Sequence, residues 1–506
     1  MAMPRGGDVR RWPPPRWYAL LVAIGIVMRV AQYLANRSLW IDEAYLALNI
    51  IRRDFRGLLL PLDDGQGAPI GFLMAEKLAV TALGPSEYAL RLVPLGASIA
   101  ALVLFARLAE RCVSRTAGLI AVALLAIADP LIYYASEAKQ YSSDVLCAVV
   151  LLRLCLAIGG RDVPSGTLLT LYGLVGAAAI LFSHPPVFVL ASSGLWLAWR
   201  FRRDPRTIYG LGGVAAVWAV TFGVVYLVSL RHLAASTGLL GYWRDAFMPL
   251  PPRSLKDAMW LPENVLGLLK FPVGLPQYGV ALLVFVVGAA TMLRSRNAVL
   301  PVTLLTIALV LLASAAGKYP FSGRFLLFVV PCVLLVVAEG VSAMLFDHAG
   351  TATIAGITAA FLLFFQPTVT SIEKLVHPRQ HEEIRPLLDY YRAHRRDGDA
   401  LYVYHGARPA FDFYAERYGI TDFIRGIKPR GDLERYASDV AVLRGRGRVW
   451  VLFSHVRQSQ GIDEERFLLY LLDHVGARRD EQRAVDGALY LYDLGGLAGD
   501  GSPRSK

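Results

Sequence analysis

"WYALLVAIGIVMRVAQYLANRSLWIDEAYLALN", residues 17–49, joins two features that rarely meet. Trp17 to Ala35 is an apolar run within the roughly 17–25 residues that cross a bilayer as a helix. Asp42 and Glu43 follow just where such a helix would leave the hydrocarbon. Carboxylates at that depth are costly unless they are hydrated or paired. The stretch therefore reads as a spanning helix that delivers an acid pair to a membrane surface.

The rest of the chain agrees with a membrane reading. Of 506 residues, 55% are hydrophobic and only 18% are charged, against about a quarter charged in ordinary soluble domains. The apolar residues fall into eleven runs of near-bilayer length: 17–35, 87–107, 117–134, 143–160, 166–183, 185–201, 207–230, 277–294, 298–316, 324–345 and 350–368. A membrane barrel would show a weaker period-two pattern. The first run is too long for the apolar core of a signal peptide and has no clean small-residue cleavage site, so it is expected to remain as an anchor. The net charge of +12 does not imply nucleic acid. Its arginines cluster in short gaps between runs, in "RLAERCVSR", "RFRRDPR" and "RSRN". That is the distribution that sets orientation, here with a cytoplasmic N-terminus and an external C-terminus. Cys112, Cys147, Cys155 and Cys332 lie in or beside apolar runs without metal-ligand spacing and read as packing residues.

These features predict a polytopic α-helical membrane protein of about eleven transmembrane helices, with a small C-terminal α/β extracytoplasmic domain. The expected layout is a cytoplasmic tail over 1–16 and a membrane domain over 17–370, with large external loops at 36–86 and 231–276. In those loops, "DEAYLALNIIRRDF" and "PIGFLMAEKLAVTALG" have helical spacing but are too short to span, and are expected to lie along the interface. Over 374–495, "EEIRPLLDYYRAHRR", "ARPAFDFYAERYG" and "DEERFLLYLLDHVG" read as helices between the strands "ALYVYH", "RVWVLFSH" and "GALYLYDL". A polar tail occupies 496–506.

Alternation of sides gathers the unusual polar residues on the external face. Asp42, Glu43, Asp63 and Asp64 fall in the first loop, and Glu137, Lys139 and Tyr141 in the next turn. His184 begins "SHPP", Arg231 and His232 open the second large loop, and Lys318 and Arg324 lie in "GKYPFSGRF". An acid so placed can take a proton from an acceptor hydroxyl, provided that cations stabilise a departing phosphate. Basic groups at headgroup depth are natural phosphate ligands.

Each residue also has a plainer reading. Asp42 and Glu43 could cap a helix, worth ~0.3–1 kcal/mol, and Asp63 and Asp64 suit a turn. Glu137 and Lys139 could pair with each other, Tyr141 could anchor at the interface, and His184 could bond backbone at a helix start. Lys318 and Arg324 could snorkel, while Arg29, inside the first run, is expected to snorkel or to pair internally.

The chain resembles the membrane-embedded GT-C glycosyltransferases, specifically bacterial relatives of the protein O-mannosyltransferases and of the aminoarabinose transferase that acts on lipid A (glycosyltransferase family 39-like). The resemblance is carried by "LWIDEAY" (39–45), "YYASEAKQYSSDV" (133–145), "SHPPVF" (183–188) and "YPFSGRFLLFVVP" (319–331), within a layout covering roughly 15–370. It implies an inverting transferase of the bacterial plasma membrane. A monosaccharide would pass from a polyprenyl-phosphate donor to a hydroxyl of an envelope glycan, lipid or protein. By position, Asp42 is the base and Glu43 its neighbour, and Lys139, ahead of Asp144, is the basic residue of the second turn. From their place on the external face rather than from the resemblance, Arg324, with His184, Lys318, Glu137 and Tyr141, is expected to serve the donor phosphate and sugar, and Asp63 and Asp64 the acceptor. No cofactor is required; some relatives use a divalent cation and others do not, and the acids here form no convincing ligand set. Many O-mannosyltransferases carry Arg where Lys139 stands, and the C-terminal domain departs from their luminal domain. The rival readings are a secondary transporter or flippase of a lipid-linked sugar, which would place functional charge near the midplane, and a scaffold that binds envelope polymer.

Overall fold

The computed structural model describes residues 16–231, 241–346, 350–428, 434–459 and 461–495. The expected tails, apart from Arg16, and His232 lie outside the described residues. The chain divides into two compact units. One comprises the residues up to Ala35 with Arg53–Pro378, the other Asn36–Arg52 with the residues from Arg379 on.

Helices α1 (Arg16–Leu34) and α2 (Ile41–Arg52) come from the opening stretch and fall in different units. The first unit continues with α3 (Ile70–Leu83), α4 (Glu87–Cys112), α5 (Arg115–Ile127), α6 (Asp129–Tyr134) and α7 (Tyr141–Gly159). Then come α8 (Gly166–Phe182), α9 (Pro186–Arg200), α10 (Pro205–Val225), α11 (Leu255–Lys270), α12 (Tyr278–Arg294) and α13 (Val299–Ala315). A 3-10 turn, Gly323–Val329, leads into α14 (Val330–Phe346), and α15 (Thr351–Val376) ends the unit. Among the described residues, six helical segments are long and apolar enough to cross a membrane: Arg16–Leu34, Glu87–Cys112, Tyr141–Gly159, Pro205–Leu230, Gly323–Phe346 and Thr351–Val376. The chain is a membrane protein.

Burial separates inner helices from outer ones. Along α14 almost every residue from Val330 to Ala343 is buried. By contrast, α10 and α15 expose Tyr209, Val220, Ile357 and Phe361. Apolar faces of that extent suit lipid rather than water. At the crossing of α12 and α14, a Cβ on Gly288 would overlap the Val336 carbonyl, and one on Gly340 would overlap that of Val284. Two small residues thus let two backbones touch.

The run 117–134, expected as one span, is two helices. Pro130 has no N–H to give to the carbonyl of Ala126, and its ring disfavours a continuous turn. The chain breaks at Ala128, leaving the last carbonyls of α5 without helical donors. Arg29 supplies the replacements: Nη2 donates to Leu125 O (3.1 Å) and Nη1 to Ala126 O (3.1 Å), while Nε holds Ser98 Oγ (2.9 Å). Ser371 Oγ donates to Ile127 O at 2.6 Å. Arg29 is therefore neither snorkelling nor ion-paired in these contacts; it completes a broken helix.

In the second unit, strands β1 (Ala400–Val403), β2 (Ile424–Arg425) and β3 (Arg448–Ser454) run parallel, with β1 between the others. Helices α16 (Arg385–His394), α17 (Arg408–Tyr414), α18 (Arg435–Leu443) and α19 (Glu464–Asp473) intervene along the chain. A two-stranded ribbon, β4 (Gln458–Ser459) and β5 (Ile462–Asp463), precedes α19. The hairpin β6 (Ala477–Ala484) and β7 (Gly487–Asp493) adds β7 antiparallel to β3, giving the order β2-β1-β3-β7-β6. The core is rich in tyrosine, with Tyr402, Tyr404, Tyr436, Tyr490 and Tyr492 buried beside Val451, Phe453 and Leu468.

Replacing Arg29 with Met keeps the bulk and removes the donors. Each buried carbonyl left unsatisfied costs about 1–3 kcal/mol, so Arg29→Met is expected to lower the thermal unfolding midpoint in detergent. Ser371→Ala, which orphans one carbonyl, should lower it less.

Candidate functional site

In the second unit, the acid pair sits in the first turn of α2. Trp40, the residue ahead of the helix, has no side-chain oxygen with which to cap it, yet the first N–H groups of a helix need acceptors. They are borrowed from far along the chain. Glu382 Oε2 accepts from Ile41 N (2.8 Å), and Tyr414 OH accepts from Leu39 N (3.0 Å). Glu383 takes both Ser38 N (3.0 Å) and Ser38 Oγ (2.8 Å). The Arg385 guanidinium donates to the Asn36 carbonyl, and α17 packs on α2.

The two acids then part company. Glu43 is sealed from solvent and ion-paired with Arg37, equally buried, at 3.1 Å. Asp42 is half-buried. Burial of the Glu43 carboxylate is thus met by pairing, and Asp42 keeps access to solvent.

Elsewhere in the second unit, the Glu464 carboxylate accepts from Tyr404 OH (2.5 Å) and Tyr436 OH (2.6 Å), with His405 Nε2 at 3.5 Å. Burial, reinforced by Arg457, Lys428, Arg408 and His455, pushes the His405 pKa down to about 4.

In the first unit, Lys139 is buried and its Nζ donates to Gln66 Oε1 at 2.8 Å. Gln66 follows the 3-10 turn Asp63–Gly65. The turn is held by Arg53, which reaches Asp63 (2.7 Å) and the carbonyls of Gly57 (3.1 Å) and Pro61 (2.9 Å). Asp63 and Asp64 are exposed, and Asp64 adopts a left-handed φ of 57°. Their immediate role is that of turn residues placing Gln66 against Lys139.

Glu137 is fully buried, and Tyr141 begins α7 with its ring 5.0 Å from that of Tyr134. The Arg324 guanidinium lies over three rings, those of Tyr141 (5.6 Å), Trp243 (5.8 Å) and Phe325 (6.0 Å). Aromatic faces hold a planar cation through its flat side, and its N–H groups lie along the edge. Asp144, one turn into α7, is buried and accepts from Ser183 Oγ, which draws the α8–α9 turn to α7. Next to it, His184 has an enclosed Nε2 with no hydrogen-bond partner, and burial pushes its pKa down to about 4. His184 is neutral at pH 7 and would bond a ligand without lending it charge. Lys318 is exposed, and among the described residues its ammonium makes no ion pair. A small recess of about 10 Å³ is lined by Arg29, Ser98, Tyr134, Tyr141, Ser142 and Leu327. Among the described residues, no group of three His, Cys, Asp or Glu side chains could hold a metal ion.

Tyr141 and Arg324 are therefore brought together, Lys139 is tied to the Asp63–Gly65 turn, and Lys318 stays apart. Sequence reading missed Trp243 and Gln66. Trp243 lies in the second large loop without periodic context, and Gln66 looked like part of a turn.

The chain has the fold of the GT-C membrane glycosyltransferases. It is similar to the crystal structure of ArnT from Cupriavidus metallidurans in the apo state, with a TM-score of 0.56 and 13% identity over 96% of this chain and 99% of that one. The same transferase bound to undecaprenyl phosphate matches with a TM-score of 0.56, 11% identity and coverage of 94% and 98%. The archaeal oligosaccharyltransferase AglB from Archaeoglobus fulgidus, in complex with an inhibitory peptide and a dolichol-phosphate, matches with a TM-score of 0.52, 12% identity and coverage of 94% and 74%. No protein-family model matches the chain, and no curated protein does.

The two depressed histidines give stability a defined pH dependence. Unfolded histidine protonates near pH 6.5, whereas His184 and His405 stay neutral in the folded chain down to about pH 4. Their contribution is complete above pH 6.5 and is lost as pH falls to about 4, because the unfolded chain takes up protons first. Thermal unfolding followed across that window should show a falling midpoint, and His405→Asn should flatten the fall.

Proposed function

We propose that the protein is an inverting glycosyltransferase that moves one monosaccharide from a polyprenyl-phosphate donor to an acceptor hydroxyl at the external face of a bacterial plasma membrane. Asp42 takes the hydroxyl proton as the acceptor oxygen bonds to the anomeric carbon. The bond from that carbon to the phosphate oxygen breaks on the opposite face, and the electron pair leaves with the polyprenyl phosphate. Arg324 and Lys139 offset the charge that develops on the phosphate, and His184 contributes a hydrogen bond. Activation resides in the phosphate ester, so neither a nucleotide nor a metal is needed.

The observation that carries this reading is the division of labour in the acid pair. A base must be ionised and accessible, and of the two acids Glu43 is sealed against Arg37 while Asp42 is half-open. Support comes from a fold shared over nearly the whole chain with a transferase crystallised with undecaprenyl phosphate. The cationic groups of the first unit add to it: Arg324 lies on its aromatic rings and Lys139 is buried.

A test can be made whatever the sugar and the acceptor are. Envelope glycans are compared by mass spectrometry in a host lacking the gene and complemented with either wild type or Asp42→Asn. Wild type should restore a product one monosaccharide heavier. Asp42→Asn, still folded and still binding donor, should reduce it by about 10²–10⁴, the usual contribution of a positioned base. Undiminished product would remove Asp42 from the role. Arg324→Ala should weaken binding of the polyprenyl-phosphate donor more than that of the acceptor, with Arg324→Lys intermediate; equal effects on the two would count against the phosphate role.

A further inference from the structure

The segment ahead of Asp42 is held by side chains through its backbone, which is unusual. Ser38, Leu39 and Ile41 each give their amide to a group from residues 382–414, and Ser38 adds its hydroxyl. Bonds to backbone fix where a chain runs and how the helix that follows is turned. A carboxylate on the first amide of α2 also complements the positive end of its dipole.

The holding groups are themselves locked. Glu382 sits at φ 50°, in the left-handed region, where a residue with a Cβ is disfavoured. Its second oxygen, Oε1, contacts His455 Nδ1 at 2.6 Å, and His455 is also left-handed, at φ 49°. His381, on the other side, lies 3.7 Å from the same Oε1 and 2.8 Å from Asp486, and its ring lies 5.2 Å from that of Trp40. Of the six non-glycine residues with positive φ among those described, Asn36, Glu382, His455 and Asp486 belong to this one network. Asn36 and the hairpin residue Asp486 adopt such angles readily, but Glu382 and His455 do not. Backbone kept in a costly conformation by its surroundings points to a geometric requirement.

We propose that Glu382, Glu383 and Tyr414 are positioning residues for the transfer reaction, forming a clasp through which the C-terminal part of the chain sets the orientation of the Asp42 carboxylate. This rests on the reading of Asp42 as the base. The clasp acts through the backbone of residues 38–41. A misplacement of about 1 Å at a reacting group can cost on the order of 10²-fold in rate, so loosening the clasp should lower turnover and leave donor affinity intact.

The full-length protein in detergent is the material for the test, and Glu382→Ala, Glu382→Gln and Tyr414→Phe are the variants. Hydrogen–deuterium exchange of residues 38–44 is read beside sugar transfer in the complemented host and binding of undecaprenyl phosphate. Glu382→Ala should speed exchange in that segment without changing the β3 or β7 strands, cut transfer at least tenfold and leave undecaprenyl phosphate affinity within twofold. Glu382→Gln, whose amide oxygen still accepts from Ile41 N, should restore most of the transfer. Tyr414→Phe removes a single acceptor and gives a milder version of the same pattern if Glu382→Ala fails to fold. Full transfer by a variant whose segment exchanges faster overturns the proposal. So does loss of transfer and of undecaprenyl phosphate binding in proportion, or failure of Glu382→Gln to recover activity. If Asp42→Asn itself transfers normally, the catalytic reading fails first, and the exchange data still report whether the clasp holds the segment.

Discussion

In a membrane, a backbone carbonyl without a donor is an expense that water cannot relieve, and at the α5–α6 break this chain creates three of them. The guanidinium of Arg29 and the hydroxyl of Ser371 take Leu125, Ala126 and Ile127. Only after that repair can the chain turn through Tyr133 and Tyr134 toward Lys139 and the start of α7. The most improbable residue of the first apolar run therefore supports the break from which the chain enters the turn before α7. A charge buried there is tolerable because its N–H groups meet oxygen acceptors rather than hydrocarbon.

The same accounting governs the acids. Glu43 is neutralised by Arg37, Asp144 is met by the Ser183 hydroxyl, and Glu464 by two tyrosines and a histidine. Asp42 differs in remaining half-exposed. Polar chemistry in this fold is kept usable by limiting it to groups whose neighbours have already been satisfied. Arg324, on the cationic side, is seated on the aromatic faces of Tyr141 and Trp243.

Much of this was legible in the sequence. Helical periodicity and length placed helices at all the apolar runs, and the order of helices and strands after Lys374 foretold an α/β unit. The acid pair was found because charge beside an apolar run is rare. What was not legible has physical causes. Breaking the run 117–134 depends on a single Pro130, whose effect hinges on Arg29 about a hundred residues earlier. Strand β6, "ARRDEQRA", is an edge whose charges guard it from pairing further, so it lacks the apolar alternation of a strand. Helix α18 is short, with only Tyr436, Asp439, Val440 and Leu443 turned inward. Above all, the partners of residues 38–41 lie more than 340 positions away, and no local pattern announces a contact of that span. The phosphate roles expected of Lys139, His184 and Arg324 came from basic groups gathered at one membrane face, with the resemblance adding to that of Lys139, whereas the aromatic seat of Arg324 and the neutrality of His184 needed coordinates.

The grouping of Asn36–Arg52 with the residues from Arg379 on has a consequence for biosynthesis. A ribosome releases the acid-bearing helix early, but the glutamates and the tyrosine that secure it are made hundreds of codons later. Through that interval the amides of Ser38, Leu39 and Ile41 lack the acceptors that hold them in the finished fold. A product terminated before Arg379 would carry the acid-bearing helix without Glu382, Glu383 and Tyr414, the acceptors that hold the amides ahead of it.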